Sequence, residues 1–489
     1  MDLISRKNSP VALRKRGKEM VMQFGEGNFL RAFVDCFIDM ANEKGVFEGS
    51  AALVQPIDKG LTDMINAQDG MYTLLLRGRQ GGEEHMEKRV IQSVSRCIDP
   101  YRDFGDFLAL AASPDLRFVV SNTTEAGIVF TGADKLSDAP QASFPGKVTA
   151  MLYHRYKTLG DKNGLIFLCC ELIDANGDKL RECVLKNAEL WGLESGFIDY
   201  VKNENIFCNT LVDRIVTGYP RAEAQALCEK FGYQDNLIDT AEPFGLWVIE
   251  APEYVRKEFP LDKAGCPVVF TDDVKPYKLR KVRMLNGAHT SMVAMAYLAG
   301  ADTVGECMAD KEIRAFMTKA LFDEIMPLLP LERSDLEAFA SALYERFENP
   351  YNRHLLLSIS LNTVSKYTAR VLPSVKAYIA DGRGIPKCLT LGMAALIAFY
   401  AGAKKTDDGY VNLRNGQSYK VSDDGFVLDF FAARSLSADN SALCAETLSR
   451  KDFWGEDLTL LDGFAAAVTD DLNLICKNGM RAALESVIA

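Results

Sequence analysis

The stretch Lys278 to Thr290, KLRKVRMLNGAHT, concentrates reactive side chains and is the most informative part of the chain for chemistry. Lys281, Asn286 and His289 fall within a roughly 140° arc if the segment is helical at about 100° per residue, so all three can face one cleft. Those residue types suit the reduction of a ketone by hydride. The reaction needs a proton donor at the nascent alkoxide, which a lysine ammonium supplies, and hydrogen-bond donors aimed at the carbonyl oxygen, which an amide and an imidazole supply. A plainer reading also fits: Lys281 joins a solvated basic cluster with Lys278, Arg280 and Arg283, while His289 caps or packs. Spacing alone does not choose between the two. Only His85, His154, His289 and His354 are histidines, and no Cys or carboxylate spacing around them reads as a zinc site, so metal-free chemistry is expected.

Hydride chemistry calls for a nucleotide, and the N-terminal region offers a place for one. Met20 to Phe24 reads as a strand, and Phe29, Phe33, Phe37 and Ala41 then recur every four residues until Gly45, as on a helix. The turn that joins them, Phe24-Gly25-Glu26-Gly27-Asn28-Phe29-Leu30-Arg31, sets a G-x-G where backbone amides and a helix start can hold a pyrophosphate. The pattern is incomplete, because Leu30 stands where the usual third glycine would be. The ribose-binding acid expected after the second strand is missing too: Gln55 is there, with Asp58 further on, so NAD and NADP are not distinguished by pattern.

The elements around these residues read as two domains, as expected for 489 residues. Further strands at Ala51 to Val54, Phe118 to Val120 and Leu165 to Cys169 alternate with amphipathic segments, which predicts an α/β, doubly wound sheet. From about Lys275 the segments become long, Ala- and Leu-rich and helical, with an S-x-x-E box at Ser334 and Glu337 and a stop at Asn349-Pro350. The boundary lies within residues 245 to 280, and division at 274 gives a nucleotide-binding domain, 1–274, and a mostly α-helical substrate-binding and catalytic domain, 275–489. The net charge of −11 argues against a nucleic-acid partner and for small molecules. Twelve scattered cysteines without a CxxC pair suit a reducing cytoplasm. The basic start, MDLISRKNSPVALRKRGKEM, reads as a solvated arm without a signal-peptide core. The apolar run Cys388 to Ala403 is too short to span a bilayer and is expected as a buried helix.

The chain resembles the polyol-specific long-chain, or mannitol dehydrogenase, family, whose members carry G-x-G-x-F-x-R at the nucleotide turn and Lys-x4-Asn-x2-His as the catalytic signature. Gly25, Gly27, Phe29 and Arg31 match the first motif; Lys281, Asn286 and His289 match the second. Longer strings carry the likeness along nearly the whole chain: QFGEGNFLRAFVD, FVVSNTTEAGI, CELIDANGD, NTLVDRIVTGYP, DDVKPYK, LNGAHT and LTLGMAALIAFY. The wording is most similar to members acting on keto-uronates. The resemblance implies a Rossmann-type N-terminal domain, a helical C-terminal domain, NAD as cofactor, and reversible interconversion of D-tagaturonate and D-altronate. Fructuronate, a neutral polyol, or NAD binding without turnover remain the alternatives.

By the same resemblance Lys281 is the general acid and base, Asn286 and His289 polarise the carbonyl, and Glu125 relays protons. Phe24, Gly25, Glu26, Gly27, Asn28, Phe29, Arg31 and Asn122 would line the cofactor. The chain departs from the mannitol dehydrogenase pattern at Glu171-Leu172-Ile173, where Asp-Asn-Leu is usual, so a second amide near the substrate oxygen is in doubt. A uronate also brings a carboxylate. Arg353, His354, Lys366 and Arg370 are the cations at hand, with Arg370 the first choice, Lys366 the second, and His354 alongside them.

Overall fold

The computed structural model describes every residue of 1–489 except Glu125. The chain divides into two compact units, Met1–Val274 and Lys275–Ala489.

In the first unit, strands β1 (Lys18–Phe24), β2 (Gly49–Val54), β3 (Tyr72–Gln80), β4 (Glu83–Ile91), β5 (Val94–Ile98), β6 (Phe118–Ser121), β7 (Ile166–Cys169) and β8 (Ile206–Cys208) come first along the chain. A six-stranded parallel sheet runs in the order β5-β2-β1-β6-β7-β8. Alternation along its strands explains the parallel choice. Val21, Leu53, Val120 and Leu168 feed one apolar core, and Met22, Val54, Val119 and Phe167 feed another, so both faces are covered. The order reverses between β1 and β6, which makes the crevice beyond their C-terminal ends the place where an open α/β sheet binds its ligand. Register sets that edge: Phe24 pairs with Val54 and with Ser121, and Ser121 pairs with Cys169. The turns that begin at Gly25, Gln55, Asn122 and Cys170 therefore leave the sheet side by side.

The sequence did not suggest the long β3–β4 hairpin, joined by β10 (Asp239–Ala241) after β9 (Thr210–Asp213), or the small sheet of β9, β11 (Leu246–Glu250) and β12 (Val268–Thr271). The helix expected from Phe29 to Gly45 is broken at Phe33, leaving α1 (Asn28–Arg31) and α2 (Val34–Glu43). The basic arm is not loose. Ile4 is fully buried, Leu3 bridges to Gln234, and the Ile4 amide donates to the Gln234 carbonyl at 2.9 Å.

The second unit is mostly helical, with a three-stranded antiparallel sheet spanning Lys404–Thr406, Gly409–Arg414 and Gln417–Val421 that the sequence reading lacked. Its centre is the buried helix Lys387–Tyr400, the run expected to be internal. Gly392 lets it cross the helix Gly287–Leu298 closely, since a Cβ there would lie 2.8 Å from the Ser291 carbonyl oxygen. The expected cap at Ser334 does not form: the helix Arg333–Phe347 has Glu332 at its N-cap, two residues earlier, and Glu337 binds Arg333 at 2.7 Å. Among the described residues no helix is long and apolar enough to cross a membrane.

Candidate active site

The nucleotide turn follows β1. Gly25 has φ +120°, a conformation L side chains rarely adopt, and its amide donates to the Val54 carbonyl at 3.1 Å. Gly27 caps α1 without a side-chain hydrogen bond, and a Cβ at Gly27 would meet nothing within 4 Å. Open space and first-turn amides without a cap suit the close approach of a pyrophosphate. Asn28 is exposed and Phe29 half-buried, stacked on Phe33 with ring centroids 5.1 Å apart. Asn122 sits across the switch point and donates to the Cys170 carbonyl at 2.5 Å, tying the β6 and β7 ends together.

Three residues expected to line the cofactor are turned inward. The Phe24 ring is wholly buried against Phe107 and Phe144, because it continues the alternation of β1 into the core. Glu26 is 7% exposed, its carboxylate accepting from the Leu61 amide at 3.4 Å, and burial raises its pKa. Arg31 is 2% exposed, and its guanidinium donates to the Glu26 carbonyl (3.1 Å), the Leu237 carbonyl (2.7 Å) and Asn28 Oδ1 (2.7 Å). It also faces Asp239 at 3.7 Å and lies over the Tyr72 ring. Arg31 therefore shapes the turn from behind, where it has no face left for a cofactor. Replacing Arg31 with methionine strands the buried Asp239 and frees two carbonyls. We expect a stability loss of about 3 kcal/mol or more, with weaker NADH binding, read by denaturant unfolding and fluorescence titration. Unchanged stability would show that the buried pair does not hold the turn.

Gln55, at the position of the missing ribose acid, donates to the Ile57 carbonyl at 2.9 Å and accepts from Thr62 at 2.9 Å. Asp58 is exposed in the loop beyond it. Glu171, the departure from the family pattern, is buried at the end of β7. One oxygen accepts from the Thr123 amide (3.0 Å) and hydroxyl (3.2 Å), the other has no hydrogen-bond partner among the described residues, and burial raises its pKa. Leu172 is exposed and offers no amide side chain. The relay assigned to Glu125 falls outside the described residues.

In the helical unit the signature residues do not lie on a regular α-helix. Lys275–Arg280 is α-helical, Lys281–Asn286 forms a π-turn, and Gly287–Leu298 resumes the α-helix. A π-turn bonds residue i to i+5 and winds at roughly 4.4 residues per turn, so Lys281 and Asn286 come within roughly 50° of each other in azimuth. The α-helical step to His289 then narrows the arc of all three from roughly 140° to roughly 60°. Gly287 serves the same arrangement, since a Cβ there would lie 3.1 Å from the Arg370 carbonyl oxygen.

The supposed basic cluster is dispersed. Arg280 is buried with its guanidinium 4.5 Å from the Phe339 ring centroid, and Arg283 bonds the Ser374 hydroxyl at 3.1 Å. Lys278 has its pKa lowered by burial and by the charge of Lys281. His289 stacks on Phe347 (4.1 Å, 17°) and meets His354 edge-on (5.4 Å, 87°). Its Nε2 is shut off from solvent and has no hydrogen-bond partner among the described residues. Burial, then the charges of His354, Arg346 and Arg370, push its pKa down to about 3. The imidazole is thus held in its neutral form.

Folding lowers this pKa from about 6.5, so the unfolded chain binds more protons between about pH 6.5 and 3, and His289 subtracts stability as pH falls through that window. We expect nuclear magnetic resonance titration of the folded protein to show neutral His289 down to about pH 4. An imidazolium appearing near pH 6.5 would rule out the neutral form.

Beside these groups Lys366 donates to the Ile359 carbonyl at 2.9 Å, and its pKa is lowered by burial and Arg370. His354 is lowered by burial and Lys366. Arg370 is half-buried, and among the described residues its guanidinium has no hydrogen-bond or ion-pair partner. Arg353 is exposed. No group of three or more metal-ligating side chains occurs among the described residues.

A switch-point nucleotide turn with a separate helical unit carrying Lys, Asn and neutral His defines a Rossmann-type dehydrogenase acting on a CH–OH group. More narrowly, the chain belongs to the mannitol dehydrogenase family: the Rossmann-domain model of that family matches residues 19–263 and its C-terminal-domain model matches 273–476. It is similar to the altronate oxidoreductases of Escherichia coli O7:K1 (strain IAI39 / ExPEC), 45% identical over 492 residues, and of Shigella flexneri, 45% identical over 493 residues. Each match covers 99% of both chains. Among solved structures it resembles the Pseudomonas fluorescens mannitol 2-dehydrogenase ternary complex with NAD and D-mannitol (TM-score 0.69, 23% identity, 100% of this chain and 99% of that one). It also resembles a substrate-free D-sorbitol dehydrogenase (TM-score 0.80, 21% identity, 99% and 100%).

Proposed function

We propose that the chain is an NAD-dependent altronate oxidoreductase that interconverts D-tagaturonate and D-altronate. The observation that carries this reading is similarity at 45% identity to altronate oxidoreductases over 99% of the chain. Gly25, Gly27, Asn28, Phe29 and Asn122 would hold NAD, which supplies or accepts the hydride when bound. The residues of the helical unit do the rest. The Lys281 ammonium gives its proton to the nascent alkoxide in reduction, and the amine takes it back in oxidation. Asn286 and neutral His289 donate hydrogen bonds to the same oxygen, so charge develops against fixed dipoles. Glu125 keeps the role of proton relay. Arg370 takes the uronate carboxylate, with Lys366 adding positive potential and His354, held neutral by burial, offering a ring N–H; the unpaired guanidinium beside Lys366 supports this choice. No metal enters the mechanism. Twelve unpaired cysteines, eleven of them buried, support a reducing cytoplasm as its location.

The test is initial-rate NADH oxidation with D-tagaturonate, D-fructuronate and D-fructose in parallel, repeated with NADPH and after chelation. Preference for tagaturonate with NADH, unaffected by chelator, is expected. Preference for fructuronate or fructose overturns the substrate, and loss on chelation overturns the metal-free mechanism.

A further inference from the structure

We infer that the first unit carries a second binding site, a basic pocket at the N-terminal edge of its parallel sheet that takes a small organic phosphate. The cavity has a volume of about 540 Å³, and Arg14, Lys15, Arg16, Lys18, Asn42 and Glu48 are among the residues that line it. Four of these six are cations drawn from five consecutive positions, in a chain whose net charge is −11. Lys18 opens β1 and the nucleotide turn follows its other end, about 20 Å away at some 3.3 Å per residue, so this pocket is not part of the nucleotide site. The site is also independent of the reaction proposed above.

The wall is built rather than loose. Gly17 passes so near Glu48 that a Cβ would lie 2.2 Å from its carbonyl oxygen. The Ser50 hydroxyl donates to the Gly17 and Lys18 carbonyls (3.1 and 3.2 Å), and Gln92 accepts from the Arg14 amide (3.0 Å) while donating to the Ala12 carbonyl (3.1 Å). A segment that would read as a solvated tail is thereby fixed with its cations around a cavity.

Its charges are only partly met. Arg14 pairs with buried Asp39, and Lys18 reaches exposed Asp115 at 2.7 Å. Among the described residues Lys15 and Arg16 have no ion-pair partner; Arg16 donates to the Asp69 carbonyl at 2.7 Å, and burial followed by the charge of Arg6 lowers its pKa. Arg16 also feels the charges of Asp69 and Glu19 without an ion pair to either, so with Lys15 it leaves net positive potential in a concave site, which suits an anion, and its fork suits phosphate oxygens. Asn42 belongs to the fixed wall, its Nδ2 donating to the Gly49 carbonyl at 2.8 Å. A phosphorylated sugar acid presents the anion these cations call for and fits a cavity of this size.

Calorimetric titration of the full chain with 6-phosphogluconate, gluconate and inorganic phosphate, in saturating NADH so that the nucleotide turn is filled, tests the site. One 6-phosphogluconate per chain should bind, at least about tenfold more tightly than gluconate, and K15Q/R16Q should weaken it about tenfold or more while NADH affinity and the melting temperature hold. If the double variant melts early, Lys15→Gln alone, which changes an exposed side chain, carries the test. No saturable binding, equal binding by the variant, gluconate binding as tightly as its phosphate, or loss of the signal when NADH is present would each overturn the proposal.

Discussion

Replacing Lys281 with alanine is expected to cut turnover of the keto-uronate by about a hundred- to ten-thousandfold, the range that a positioned general acid contributes. NADH affinity should stay within about twofold, because the lysine serves proton transfer and not cofactor binding. The loss should fall on kcat. The proton moves only as the alkoxide forms, so the interaction is absent from the ground state. Single-turnover kinetics and an NADH fluorescence titration of the same preparation separate the two quantities. Near-normal turnover would remove the lysine from the mechanism, and a parallel loss of NADH binding would make it a binding residue.

The π-turn at Lys281–Asn286 shows where sequence reasoning stops. Apolar and polar residues at helical spacing announce a helix over this segment, but no residue type signals an i→i+5 turn within it, and Lys281 to Asn286 are ordinary helix formers. The three signature residues were therefore legible as a set, while their tight alignment was not. The same holds for the nucleotide turn. The strand, the G-x-G and the helix start follow from local pattern, because Gly25 needs a backbone only glycine readily adopts.

The inward turn of Arg31 depends on Leu237 and Asp239, more than two hundred positions away, and no local pattern contains them. Four of the six strands of the parallel sheet were readable as short aliphatic or β-branched runs, while Val94–Ile98 and Ile206–Cys208 were not. The β3–β4 hairpin was not: Glu83–Ile91 is mostly polar, and the Gly81-Gly82 link was the only local cue. The S-x-x-E box at Ser334 failed for a related reason. Several residues near a helix start can cap it, and packing of Leu336, Phe339 and Leu343 set the first turn two residues earlier.

Arg370 carries the second large effect. Arg370→Leu should lower kcat/KM for D-tagaturonate by about ten- to a hundredfold, the value of a charge-assisted hydrogen bond to a carboxylate, while turnover of neutral D-fructose changes by less than about threefold. The selective loss follows from its surroundings. The guanidinium is half-buried and unpaired among the described residues, so in the free protein it bears a desolvation cost that only an arriving anion offsets. Leucine removes that cost along with the interaction, so the variant should be at least as stable as the parent, and lost activity would not reflect lost folding. His289 provides a second readout, since the charge of Arg370 helps lower its pKa. In the variant that pKa should rise toward 6.5, visible by nuclear magnetic resonance, without reaching it, because burial is the larger cause. A loss of equal size on tagaturonate and fructose would show that Arg370 orders the helical unit as a whole and does not read the carboxylate.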